Sequence, residues 1–148
     1  MVDGSPVMSE AEVSRALEEL QTLERLLADL QARLITIQRS IVEHEEAVKV
    51  VEEIKKAGGR LRLMVPIGAG AFAEASLESV EKLTVNLGAG VYGLKSLDDA
   101  QQLLTRRSQN LQALYDSLSK RAGEYSARME ELRRFLGAVL AAQPRQGT

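Results

Sequence analysis

Two phrases in the middle of the chain carry the spacing of a phosphate-binding loop. Gly68-Ala69-Gly70-Ala71-Phe72-Ala73 has the form Gly-x-Gly-x-x-Ala, and Gly88-Ala89-Gly90-Val91-Tyr92-Gly93 has the form Gly-x-Gly-x-x-Gly. As a dinucleotide fingerprint, such glycines would let the backbone approach a pyrophosphate held at a helix N-terminus. That chemistry needs a strand before the glycines and a helix after them. Here the first phrase runs on into more strand sequence. The second phrase starts twenty residues after the first, so no crossover helix fits between them. A Gly-Lys-Ser/Thr sequence is also absent. The glycines are read instead as hairpin turns, where φ > 0 is needed.

The remaining chemistry-bearing residues are sparse. His44 is the one histidine, and a single imidazole without a partner cluster is a poor metal ligand or general base. Its heptad position makes it a polar layer that fixes helix register, with Ser108 as its partner. Glu45-Glu46 and Glu52-Glu53 read as solvated helix faces. The chain has no cysteine, which removes thiolate nucleophiles, disulfides and Cys-ligated zinc and is compatible with a cytosolic protein. No nucleophile–base pair carries a signature. The reading is therefore not an enzyme, with no catalytic residue, no metal and no cofactor. A net charge of −2 and an absence of Trp argue against duplex recognition and base-stacking platforms. No run of about 18 apolar residues is present, so no membrane span is expected. No signal peptide is visible either.

The elements around these residues are regular. Ser9-Glu10-Ala11-Glu12 fits a capping box. From there Val13, Leu20, Leu27, Leu34, Ile41 and Val48 recur every seven, with Ala16, Leu23, Leu30, Ile37, His44 and Val51 three residues later. This is the alternating spacing of a coiled-coil seam. Gly58-Gly59 stops the helix. Ser9 to Ala57 would span roughly 70 Å. A second helix opens at Ser96 as N-cap. Leu97, Leu104, Leu111, Leu118, Tyr125, Leu132 and Val139 recur every seven, and Tyr115, Ala122, Met129 and Leu136 fill the complementary register.

Between the helices, Leu61, Leu63, Val65 and Ile67 alternate with Arg60, Arg62, Met64 and Pro66. Leu83, Val85 and Leu87 alternate with Lys82, Thr84 and Asn86. Period-2 alternation around each Gly-Ala-Gly marks two antiparallel hairpins in series. Val65-Pro66-Ile67-Gly68-Ala69-Gly70-Ala71-Phe72 returns as Val85-Asn86-Leu87-Gly88-Ala89-Gly90-Val91-Tyr92.

The fold class that follows is mainly α with a small β part. A long antiparallel two-helix coiled coil carries two β-hairpins at one end, and both chain termini meet at the other. The domain reading is a single one over 1–148: helix one over 9–57, hairpins over 61–95, helix two over 97–142, and flexible tails over 1–8 and 143–148. The register sets Leu20 opposite Leu132, Leu23 opposite Met129, Leu27 opposite Tyr125, Ile37 opposite Tyr115 and His44 opposite Ser108. A one-heptad slip would keep the apolar pattern. Four short strands cannot bury a core alone, so the hairpins are expected to assemble with β segments of other chains. Val65, Ile67, Phe72, Val85, Leu87 and Tyr92 are the candidate oligomerisation residues.

The far end of the helices is apolar on nearly all sides. Phe135, Leu136, Val139 and Leu140 lie opposite Val13 and Leu17, with Val7 and Met8 close in sequence. A two-stranded coiled coil buries only a narrow stripe, so part of this surface stays wet. Exposed apolar surface rimmed by charge is expected to bind apolar partners.

The phrases from Leu63 to Phe72 and from Val85 to Tyr92, followed by Ser96-Leu97-Asp98-Asp99-Ala100, resemble the α class of the prefoldin family, over residues 9 to 142. Two hairpins rather than one point to the α type. The resemblance implies an α2β4 heterohexamer of two such chains with four prefoldin β subunits, the hairpins forming an intersubunit β-barrel. It implies a cytoplasmic, ATP-independent holdase whose coiled-coil tips capture unfolded proteins and deliver them to a group II chaperonin, with neither nucleic acid nor membrane as partner. Two alternatives stand beside it: a self-assembling filament built from the same hairpins, and a coiled-coil adaptor for a single partner.

Overall fold

The computed structural model describes residues 9 to 142. The expected tails, and with them Val7 and Met8, lie outside the described residues. The order is α1 (Glu10–Lys56), β1 (Leu61–Gly68), β2 (Ala71–Leu77), β3 (Lys82–Gly88), β4 (Val91–Ser96) and α2 (Leu97–Ala142). The chain is thus two long helices and two small antiparallel sheets, β1–β2 and β3–β4. It divides into two compact units. One comprises the chain up to Thr36 and from Leu114 onward, the other Ile37–Ala113.

Local chemistry sets both ends of α1 and the start of α2. The Ser9 hydroxyl accepts from the Glu12 N–H at 3.3 Å, capping α1. The Gly59 N–H donates to the Ile54 carbonyl at 2.8 Å and the Gly58 N–H to the Lys55 carbonyl at 3.2 Å. These two bonds are a Schellman motif, with Gly58 at φ +67° in the left-handed position. Gly59 also has positive φ, and a Cβ there would lie 2.8 Å from the Val80 carbonyl oxygen. That carbonyl belongs to the link between the hairpins, and the Val80 N–H donates back to the Gly59 carbonyl at 2.9 Å. At the start of α2 the Ser96 hydroxyl accepts from the Asp99 N–H at 3.1 Å. Ser96 is also the last residue of β4, so strand and helix meet with no loop between them.

In the first unit Ala16, Leu23, Met129 and Leu132 form one buried cluster, with Leu20, Leu27, Tyr125, Phe135 and Leu136 against it. These are the seam residues of both helices, in the register that sets Leu23 against Met129. Two ion pairs flank that seam: Arg128 with Glu19, and Arg133 with Glu24. They occupy the g–g′ and e–e′ positions of an antiparallel coiled coil. In the second unit Ile41, Val51, Ile54 and Ala100 are buried. The Lys55 ammonium donates to the Gln101 side chain and pairs with Asp98, and Gln101 also donates to Glu52.

Candidate functional site

Two surfaces were singled out by the sequence, one in each unit. In the first unit Leu136 packs against the cluster that holds Ala16, and the register of the two ion pairs, continued by one heptad step, sets Val13 by Val139. The six candidate residues do not share one environment. Phe135 and Leu136 are half-buried and pack on the cluster of Ala16, Leu23, Met129 and Leu132. Val13 and Val139 are also half-buried. Leu17 and Leu140 stand out, 47% and 69% exposed. Of the six candidates, two leucines are thus exposed and four apolar side chains half-covered. Its charged flank is ordered. The Arg128 guanidinium donates from Nε to Glu19 Oε1 at 2.7 Å and from Nη2 to Oε2 at 3.1 Å, and from Nη1 to Glu131 at 3.1 Å. The bond from Arg128 holds the Glu19 carboxyl below its ordinary value, the attraction of the charge adding to it. The guanidinium is in turn held more firmly protonated by the bond to Glu19 and then that to Glu131.

The glycine phrases are turns. Ala69 and Gly70 have φ of 51° and 76°, and Ala89 and Gly90 have 51° and 77°. Positive φ at both central positions is the type I′ turn of a two-residue hairpin loop. The loop is thus Ala-Gly, with an alanine held left-handed in both copies. The first glycine of each phrase serves a different purpose. Pairing shifts between Pro66 and Gly68, and again between Asn86 and Gly88. Gly68 and Gly88, at φ 115° and 107°, absorb a bulge that leaves Ile67 and Leu87 as extra residues. In the second copy the Asn86 side-chain oxygen accepts from the Gly88 N–H at 2.8 Å, fixing that bulge. Strand β2, not a helix, follows the first phrase, so the phosphate-loop geometry is not formed there.

The candidate assembly residues divide between faces. Val65 pairs with Ala73 and Phe72 with Pro66, so Val65 and Phe72 lie on opposite faces of the first hairpin. Val85 pairs with Gly93 and Tyr92 with Asn86, which separates Val85 from Tyr92 in the same way. Val85 is 8% exposed within the single chain, whereas Val65, its counterpart, is 38% exposed. Leu87 bends over Gly93, where an added Cβ would meet its Cδ1 at 2.8 Å. Ile67, whose hairpin has Ala73 where the second has Gly93, is more exposed than Leu87. The second hairpin is also tied to α2, because Arg107 Nη2 donates to the Asn86 carbonyl at 2.6 Å. Periodicity could not point to Arg107, since its role depends on where a hairpin lands.

His44 is corrected in one respect. Its ring Nδ1–H donates to the Ser40 carbonyl at 2.6 Å, one turn back on α1. The imidazole is satisfied by its own helix rather than by Ser108. No helix is long and apolar enough to cross a membrane among the described residues.

Comparison with known proteins agrees with this geometry. The pattern of the prefoldin subunit family matches residues 23–141. A protein of Pyrobaculum arsenaticum, "Prefoldin subunit alpha", is 35% identical, covering 84% of this chain and 90% of its own. One of the same name from Methanococcoides burtonii is 27% identical over 87% and 94%. A chain in the cryo-EM structure of filamentous PFD from Methanocaldococcus jannaschii shares the fold. Its TM-score is 0.65 and its identity 19%, covering 79% of this chain and 97% of that one. With two heptad helices, two bulged I′ hairpins and a family match over most of its length, this chain belongs to the prefoldin subunit family.

Proposed function

We propose that this chain is the α-class subunit of an ATP-independent co-chaperone. The first unit holds unfolded clients, and the hairpins of the second join the chain to other prefoldin subunits. The observation that carries client binding is the pair of exposed leucines, Leu17 and Leu140, at the same helix ends as half-buried Val13, Phe135, Leu136 and Val139. Apolar surface removed from water contributes about 25 cal/mol per Å². An unfolded segment that covers the two leucines gains that without breaking a hydrogen bond. The patch offers no directional polar group, so it selects for exposed apolar surface rather than for one sequence.

Family membership supports the rest of the reading: two copies with four β-type subunits, transfer of clients to a group II chaperonin, and work in the cytosol. A filament is the second reading, because the Methanocaldococcus jannaschii chain that shares the fold is from a filamentous PFD. The test of client binding is Leu17→Ser with Leu140→Ser in the assembled complex, scored by suppression of aggregation of a chemically denatured protein. Neither leucine belongs to the buried cluster, so the assembled mass should stay unchanged while suppression falls several-fold. Undiminished suppression at intact mass removes this patch from client binding.

A further inference from the structure

The two hairpins repeat a phrase, but their outer halves are covered differently. In the second hairpin one face is covered out to the pair of Val85 with Gly93. Leu83, Lys95 and Gly93 are half-buried there and Val85 is buried. The other face, with Thr84, Asn86, Tyr92 and Leu94, is exposed. In the first hairpin the corresponding face is covered only as far as Leu63 with Ala75. The next pair, Val65 with Ala73, is exposed on both strands.

Chain geometry shows what the second hairpin lies against. Strand β4 passes into α2 with no loop. From Tyr92, which pairs with Asn86, to Ser96 the strand runs about 13 Å. From Leu97 to Arg107 the helix rises about 15 Å. The Arg107 guanidinium donates from Nη2 to the Asn86 carbonyl at 2.6 Å. Two legs of nearly equal length are thus closed by the arm of one side chain, so the second hairpin lies back along the first turns of α2. Ala100, Leu103 and Arg107 share one face of that helix, and Ala100 is buried and Leu103 half-buried. In the first hairpin the Arg62–Glu74 ion pair joins β1 to β2 and stays within the hairpin. The Gly59–Val80 bond holds the link after β2 rather than a strand. We infer that Arg107 is a positioning residue for assembly: by holding Asn86 it lays the second hairpin along α2 before a partner arrives. That hairpin then meets other subunits in one orientation, with the face of Thr84, Asn86, Tyr92 and Leu94 outward, while the outer half of the first hairpin is left for its partner to place. A segment held in one orientation beforehand has less freedom to lose on binding. This rests on the assembly reading above, which by itself gives Arg107 no part.

The test compares full-length Arg107→Met and Arg107→Lys with the native chain. Methionine keeps the helix preference of the site and removes the donors, whereas lysine keeps a charged donor. Hydrogen exchange is followed in each chain alone, and the growth of native mass is timed after mixing with a β-type subunit. In Arg107→Met the amides of 82–96 should exchange several-fold faster and those of 61–77 at the native rate. Assembly should be several-fold slower and reach the same final mass, with the thermal midpoint of the helices unchanged. Arg107→Lys should regain most of the assembly rate. Native exchange over 82–96, faster exchange with a native assembly rate, or no recovery with lysine overturns the positioning role and leaves the co-chaperone reading intact. Loss of helical circular dichroism in Arg107→Met assigns the residue to folding and overturns it as well. A native chain that forms no joint assembly overturns both readings.

Discussion

At the scale of single residues, Gly58 and Gly59 look alike in the sequence and are not alike in the fold. Both have positive φ, 67° and 88°, which costs an alanine on the order of 1 kcal/mol. Around Gly58 there is open space, whereas a Cβ on Gly59 meets Val80 backbone on two atoms, at 2.8 and 3.0 Å. Backbone cannot move aside as a flexible side chain can. Gly58→Ala should therefore cost about 1 kcal/mol, and Gly59→Ala about 2–3 kcal/mol, the strain of its φ adding to the displaced link. Thermal unfolding should rank the native chain above Gly58→Ala and Gly59→Ala last. Equal loss for the two would mean that the Val80 contact carries no weight. The sequence announced a glycine stop here and no more, because the difference between the two lies in a carbonyl more than twenty residues away. Ala69 and Ala89 were hidden for the same kind of reason. A Gly-Ala-Gly triplet marks a turn, but only the pairing register shows which residues form the loop and which absorb the bulge.

At the scale of elements, the helices were nearly fully legible. Every seam residue named from the heptads is buried or half-buried, from Val13 to Val51 and from Leu97 to Val139, because a 3,4 repeat has one face to hide. Relative register was not legible, since a one-heptad slip preserves the apolar pattern. Interhelical partners of unequal chemistry break that degeneracy, and the Glu19–Arg128 fork is the best-formed of them. Its effect on stability has a defined pH sense. Glu19 titrates below its ordinary value of 4.5 because Arg128 bonds it. A depressed carboxyl contributes stability above the value it has in the unfolded chain, and that contribution is lost as pH falls through the folded value. Glu19→Gln should thus lower the thermal midpoint at neutral pH, and the gap from the native chain should narrow in acid below 4.5. Both groups are about half exposed, so the gap should also shrink in high salt. A gap that persists unchanged in acid would assign the loss to packing of the glutamate stem instead.

At the scale of the whole molecule, the argument turns on number. One patch with two exposed leucines offers little area, so a single chain should hold a client weakly. Joining several patches converts later contacts into intramolecular ones, and such linkage raises overall affinity by 10²–10⁴ without any new contact. Client capture should then depend on hairpin residues that never touch the client. Phe72 and Tyr92 are suited to showing this. They are well exposed in the single chain, and each lies across its hairpin from Val65 or Val85. Val85 itself is a poor site for the purpose, because it is already buried within the chain and a charge there would disturb the hairpin. Phe72→Asp with Tyr92→Asp should keep the helical circular dichroism and leave Leu17 and Leu140 untouched, yet reduce the native mass to small species. If avidity is the mechanism, aggregation suppression at equal chain concentration should fall with the mass. A dispersed variant that still protects as well as the assembly would mean that each patch binds clients tightly by itself, and the hairpins would then serve an end other than multiplying it.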